Sequence, residues 1–153
     1  GWGFMIDNGA TTIWETWKES DGVFSNNHPM FGSITEWFYR WLGGIQPDPA
    51  NPGFKKFILS PTTPDGLEYV NTQYESPFGT IVSNWKKESL DSYRYDMTIP
   101  QNSIGMVHLK EVSSKKIRIT KNGVSLKNSS IKNLETGEFE LEAGVYSIVV
   151  SQK

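Results

Sequence analysis

Tyr93-Arg94-Tyr95-Asp96-Met97-Thr98-Ile99 decides how the larger part of this 153-residue chain is read. Apolar and aromatic side chains at 93, 95, 97 and 99 alternate with Arg94, Asp96 and Thr98, a period of two. Successive side chains of a strand point to opposite faces, so the pattern describes a sheet with one buried and one wet face.

Outward from this segment, residues 57–59, 67–74, 80–85, 104–109, 117–120, 124–126, 139–141 and 145–150 are further short runs rich in β-branched and aromatic residues. Together with 93–99 they make about nine expected strands. Turn chemistry separates them at Pro64-Asp65-Gly66, Pro77-Phe78-Gly79, Asn122-Gly123 and Glu135-Thr136-Gly137. Evenly spaced strands with such turns predict an antiparallel β-sandwich, jelly-roll-like, over residues 54–153.

The stretch 46–53, Gln-Pro-Asp-Pro-Ala-Asn-Pro-Gly, carries three prolines and a glycine. Such a segment cannot continue a helix or a central strand, so it is expected to be a linker or a domain-edge crossing. Before it the period changes to that of a helix. Phe31, Ile34, Phe38, Trp41, Leu42 and Ile45 recur at steps of three and four, with Pro29 suited to the first turn and Gly43-Gly44 to the end. A shorter helix is expected over 11–18, where Ile13 and Trp17 share a face; Asn8-Gly9 leads in as a turn and Asp21-Gly22 breaks it. The expected class is therefore α+β, two helices followed by the β-sandwich.

Composition narrows the function. Fifteen Lys plus Arg stand against 17 Asp plus Glu, for a formal charge of -2, and no basic block stands out. A nucleic-acid surface needs a clustered positive footprint, so none is expected. There is no Cys, and the two His, His28 and His108, lie far apart, which leaves no metal-ligand spacing; neither metal nor cofactor is expected. No run of about 20 apolar residues exists for a membrane span. The start Gly1-Trp2-Gly3-Phe4 lacks the features of a signal peptide and an initiating Met, which suggests a processed or excised segment. Aromatic residues make up 13% of the chain, and flat rings serve both as core and as platforms for sugars.

The chemistry concentrates in Gly9-Ala10-Thr11-Thr12-Ile13-Trp14-Glu15-Thr16-Trp17 and Asn26-Asn27-His28-Pro29-Met30-Phe31-Gly32. These place a carboxylate, two indoles and an imidazole in a region otherwise poor in ionisable groups. Thr12-Ile13-Trp14-Glu15 fits a capping box, in which the Glu side chain reaches back to the N-cap amide. The same Glu15, flanked by Trp14 and Trp17, also fits a catalytic carboxylate in an aromatic-walled site. His28 fits either a helix start, with Asn26 and Asn27 as alternative caps, or a hydrogen-bond partner for a ligand hydroxyl. Trp37 and Trp41 fall on one face with Ile34 and Phe38 and are read as core. Trp85, Tyr74 and Tyr95 can form a sugar-stacking platform, the basis of a rival reading as a non-catalytic carbohydrate-binding module; each also fits the buried alternation of its strand.

The ordered set Trp2-Gly3-Phe4-Met5-Ile6, residues 9–17, Asn27-His28-Pro29-Met30-Phe31-Gly32 and Glu36-Trp37-Phe38-Tyr39-Arg40 resembles the end of the catalytic domain of bacterial α-L-rhamnosidases of glycoside hydrolase family 78. Tyr74-Glu75-Ser76-Pro77-Phe78-Gly79-Thr80-Ile81 leading to Trp85 is similar to that family's C-terminal β-sandwich. The resemblance covers essentially the whole chain and only the tail of the family architecture. It implies that residues 1–45 are the last helices of an (α/α)6 barrel, 46–53 the linker and 54–153 the C-terminal sandwich, with the N-terminal part of the parent missing.

What the resemblance implies about chemistry is an inverting hydrolase that removes terminal α-L-rhamnose from plant polysaccharides or glycosides. Glu15 corresponds to the general base and His28 to the residue that binds the rhamnose ring, while Trp14 and Trp17 shape the surroundings. Inversion places two carboxyl groups roughly 6.5–9.5 Å apart, with a water between base and anomeric carbon. The family's general acid lies far upstream, and neither Asp7 nor Glu19 replaces it, so these 153 residues alone are expected to be inactive. The helices, deprived of a barrel, are expected either to dock on the sandwich or to self-associate through exposed Ile34, Phe38, Trp41 and Leu42.

Overall fold

The computed structural model describes residues 1–17, 25–110 and 115–152. It divides into two compact units, residues 1–38 and 39–153. The first opens with helix α1, Trp2–Asp7, which buries Met5. Gly9, at φ 77°, turns the chain away, and the amide of Ala10 donates to the Met5 carbonyl at 2.9 Å. The expected Asn8-Gly9 turn thus closes α1 rather than leading into a later helix.

No helix forms over residues 11–17, contrary to expectation. Thr11, Thr12, Ile13 and Thr16 are β-branched and lose χ1 freedom in a helix. Their backbone instead meets residues 25–28: the His28 amide donates to the Ile13 carbonyl at 2.7 Å, and the Glu15 amide to that of Ser25 at 2.9 Å. Lys18 and the predicted break at Asp21-Gly22 lie outside the described residues. A 3-10 turn over Pro29–Ser33 follows, with Pro29 at its first position as expected; then α2, Ile34–Trp37, and a π-helical turn, Phe38–Leu42. The single helix expected over 31–45 is therefore composite and shorter, and Ile45 belongs to a strand. Trp37 and Trp41, expected in a core, are 44% and 49% exposed.

The second unit holds nine strands among the described residues: β1 Ile45–Pro47, β2 Lys56–Leu59, β3 Tyr69–Val70, β4 Gln73–Ser76, β5 Gly79–Ser89, β6 Ser92–His108, β7 Lys115–Lys121, β8 Val124–Ser125 and β9 Glu138–Gln152. They pair in the order β1-β2-β6-β9-β7-β8, with β5 also on β6 and β3 and β4 on β5. The sheet is mixed, where a wholly antiparallel one was expected, because β2 runs parallel to β6. A parallel pair needs a long crossover, and β3 to β5 supply it. Within the stretch 46–53, Gln46 and Pro47 lie in β1; Pro47 is tolerated because β1 is an edge strand.

Strand β6 organises this unit. One of its edges pairs along its length with β9; the other pairs first with β5 and then with β2. The change falls where the register slips: from Ile99 to Ile104 the strand advances five positions while β9 advances two, from Gly144 to Glu142. Pro100, which has no amide hydrogen, and Asn102, at φ 61°, sit in this bulge. Six residues of straight strand span about 20 Å. Yet a Cβ added to Gly105 would lie 2.5 Å from Cδ1 of Ile99, so the strand folds back and the two halves share one core. That core joins Phe57 and Leu59, Ile81 and Trp85, Met97 and Ile99, Val107, Ile119, Phe139, Leu141 and Ile148.

The end of the π-helical turn is fixed to the strands. Its last three carbonyls lack intrahelical partners. Arg40 accepts from Gln46 Nε2 at 2.9 Å, Trp41 from the Thr62 amide at 2.9 Å and Leu42 from Trp85 Nε1 at 2.9 Å. Gly43 and Gly44 follow because nothing larger fits: a Cβ on Gly43 would meet Thr72 at 2.4 Å, and one on Gly44, already at φ 74°, the Pro61 nitrogen at 2.1 Å.

Candidate functional site

The candidate residues Trp14, Glu15 and His28 all lie in the first unit and are half-buried. The two backbone contacts described above bring the segment bearing Trp14 and Glu15 beside the one bearing His28. A side-chain contact completes the pair: the Ser25 amide donates to Oε2 of Glu15 at 2.9 Å. Ser25 and Glu15 therefore exchange two bonds, one through the main chain and one through the carboxylate. Thr12 Oγ1 donates to the Asn26 carbonyl, and the Asn27 amide to Ser25 Oγ at 3.1 Å, which braces the 25–27 turn.

This geometry excludes the capping-box reading of Thr12-Ile13-Trp14-Glu15. A capping box needs a helix to cap and a Glu that returns to the residue three before it. Here there is no helix, and the carboxylate points to an amide ten residues onward. His28 sits at the N-cap of the 3-10 turn with extended backbone, φ -128° and ψ 105°, and makes no side-chain capping bond.

Aromatic rings surround the segment. Trp17 stacks on Phe31 at 3.9 Å and 16°, Trp2 meets Trp17 edge-on at 5.1 Å, and Phe4 meets Trp14 edge-on at 6.4 Å. Offset and edge-to-face contacts of this kind contribute about 0.5–1.5 kcal/mol each beyond their buried area. Trp2, Phe4 and Trp17 nonetheless remain about two-fifths exposed. The result is a carboxylate held by a backbone donor among partly open indoles.

Two residues of this arrangement were not anticipated. Ser25 lies across a loop from Glu15 and carries no local motif, so no pattern of spacing points to it. Phe31 was assigned to a helix face by its period, whereas its ring serves Trp17.

The platform offered by Trp85, Tyr74 and Tyr95 does not exist on the surface. Trp85 is 1% exposed with its indole N–H on Leu42, Tyr95 is 6% exposed, and Tyr74 alone reaches solvent, its ring 4.7 Å from that of Phe54. Among the described residues no group of three or more His, Asp or Glu is placed to hold a metal ion. No helix among them is long and apolar enough to cross a membrane.

Comparison with known proteins gives a consistent picture. Residues 44–124 match the family model of the bacterial alpha-L-rhamnosidase C-terminal domain, and residues 1–42 that of the bacterial alpha-L-rhamnosidase 6 hairpin glycosidase domain. An alpha-L-rhamnosidase of Alteromonas sp. (strain LOR) is 36% identical over 109 residues, 66% of this chain and 12% of that protein. One from Formosa agariphila is 28% identical over 160 residues, covering 93% of this chain and 17% of its own length. Among solved structures, alpha-L-rhamnosidase from Dictyoglumus thermophilum superposes with a TM-score of 0.75 at 27% identity, over 98% of this chain and 17% of that one. The Streptomyces avermitilis enzyme, complexed with L-rhamnose, shares the fold with a TM-score of 0.74 at 22% identity, over 99% of this chain and 15% of its own. The chain thus spans between 12% and 17% of the length of these relatives.

Proposed function

Because this chain belongs to the bacterial alpha-L-rhamnosidase family, we propose that it is the C-terminal part of an inverting glycosidase that releases terminal α-L-rhamnose from plant polysaccharides or glycosides. Residues 1–45 contribute the last helices of an (α/α)6 catalytic barrel, and residues 54–153 a jelly-roll-like sandwich joined through the Pro-rich stretch 46–53. Glu15 is the general base. His28 binds the sugar ring, and Trp14 shapes the pocket.

The observation that carries this reading is the Ser25–Glu15 pair. A carboxylate fixed through one oxygen by a backbone amide keeps its orientation and can still take a proton on the other. It draws that proton from a water as the water oxygen attacks the anomeric carbon. The glycosidic C–O bond breaks on the opposite face, and the departing oxygen takes a proton from an acid supplied by the N-terminal part of the longer protein. The two carboxyl groups of such an enzyme stand about 6.5–9.5 Å apart. Without its acid partner the 153-residue chain is inactive, and its exposed Trp37, Phe38 and Trp41 favour self-association.

The stereochemical course tests the mechanism. Proton NMR of the full-length enzyme acting on an aryl α-L-rhamnoside is expected to show β-L-rhamnose first, with the α anomer growing in by mutarotation. Initial appearance of the α anomer would rule out single-step inversion, and with it Glu15 as the base for a water that attacks the anomeric carbon directly.

A further inference from the structure

The second unit contains a groove of about 690 Å³, remote in sequence from Glu15 and His28. Five consecutive residues of β9, 138–142, line it. Successive side chains of a strand face opposite ways, so a cavity that touches all five reaches the strand's backbone as well as one face, and Met106 and His108 of β6, paired with Glu140 and Glu138, line that face. The pairing agrees. Strand β7 accompanies β9 only from Tyr146 onward, and among the described residues no strand covers this edge of residues 138–144.

Leu126 and residues 130–133 also line the groove, on a segment held by three anchors. The Leu126 amide donates to the Ile119 carbonyl at 2.9 Å, Asn128 Nδ2 donates to the Ile117 carbonyl at 3.0 Å, and Leu134 is buried in the core. Leu126 and Ile131 give this segment an apolar strip; Ser130, Lys132 and Asn133 give it polar groups. Glu138, Glu140 and Glu142, all exposed, line the same groove. Glu140 is already engaged by Lys56 at 2.7 Å, and Lys121 lies over the Tyr146 ring at 5.4 Å. Acidic and basic groups are therefore interleaved, which suits a ligand that carries no charge of its own.

We propose that this groove is a second binding site, for a neutral oligosaccharide. Its volume falls within the range of about 300–1,000 Å³ usual for small-ligand sites. Sugar hydroxyls donate and accept alike, so they match carboxylates, an amide and the backbone groups of an uncovered strand edge, while C–H faces lie on Leu126 and Ile131. A peptide strand fits less well, because the edge closes early. Tyr146 OH donates to the Glu142 carbonyl at 2.9 Å, and the Asn122 amide to that of Val145 at 2.7 Å. With the Glu142 carbonyl taken, the four positions left open, 138–141, offer pairing to only a short peptide strand.

The test is an amide NMR titration of the 153-residue chain with rutinose, a neutral rhamnose–glucose disaccharide, and separately with hexalysine. Rutinose is expected to shift residues 126–133 and 138–142 with millimolar affinity, equally in Glu15→Gln, which separates this site from the proposed catalytic one. Lys132→Ala/Glu138→Ala, at two exposed positions, is expected to weaken binding by about tenfold or more while leaving the rest of the spectrum in place. Shifts confined to residues 13–31, no shifts at millimolar sugar, a double variant that binds as well as the parent, or groove shifts with hexalysine alone would overturn the proposal.

Discussion

The indole N–H of Trp85 donates to the carbonyl oxygen of Leu42 at 2.9 Å, tying a strand of the core to the last residue of the π-helical turn. Trp85 is otherwise sealed, its ring edge-on to Tyr93 at 6.3 Å. Its role here is that of a clamp on a helix end, which is what its burial permits and a sugar platform would not.

Replacement of Trp85 by Phe keeps an aromatic ring and deletes the donor. Leaving the Leu42 carbonyl without this partner is expected to cost about 1–3 kcal/mol in urea denaturation. An unchanged midpoint would mean that water replaces the indole at no cost.

Gly105→Ala tests the fold in β6. The added methyl would lie 2.5 Å from Ile99 Cδ1, so a destabilisation of about 1–3 kcal/mol is expected. Ile99→Val removes that Cδ1 atom. The double variant Ile99→Val/Gly105→Ala is expected to be more stable than the sum of the two single changes implies, by at least about 0.5 kcal/mol. Strict additivity would show that the two halves of the strand do not meet.

Asp48 gives the molecule an acid-sensitive turn after β1. Its carboxylate accepts from Asn51 Nδ2 at 2.7 Å and from the Ala50 amide at 3.0 Å. These bonds, the Asn51 one foremost, with the Lys56 charge adding to them, hold its pKa below the ordinary carboxylate value. A group whose pKa is depressed by folding stabilises above its unfolded pKa, near 3.9, and loses that contribution as pH falls through the lower folded value. Urea midpoints of Asp48→Asn and the parent chain are therefore expected to differ above about pH 4 and to converge below it. Parallel pH profiles would refute this role.

Much of the strand pattern was legible, and the alternation at 93–99 appears unaltered in β6. What sequence could not show is continuity: 93–99 and 104–109 read as two strands because Pro100 and Asn102 interrupt the period, whereas a bulge carries the strand through them to His108. The runs 139–141 and 145–150 likewise merge in β9. Trp85 was read correctly as core, but its partner Leu42 lies 43 residues away and no local pattern links them. The helical region was harder. Apolar spacing at Ile13 and Trp17 suggested a helix, and β-branching with pairing to residues 25–28 overrode it. Trp14, Glu15 and His28 stood out in the sequence as candidates; the amide of Ser25 that holds the Glu15 carboxylate did not.

The most direct measurement is steady-state turnover of an aryl α-L-rhamnoside by the full-length enzyme with Glu15→Gln. Loss of a general base predicts a fall in kcat of about 10²–10⁴-fold, with KM within about threefold of the parent, because the amide preserves shape and removes proton acceptance. A kcat within a few-fold of the parent would show that the carboxylate clasped by Ser25 serves the loop and not the chemistry.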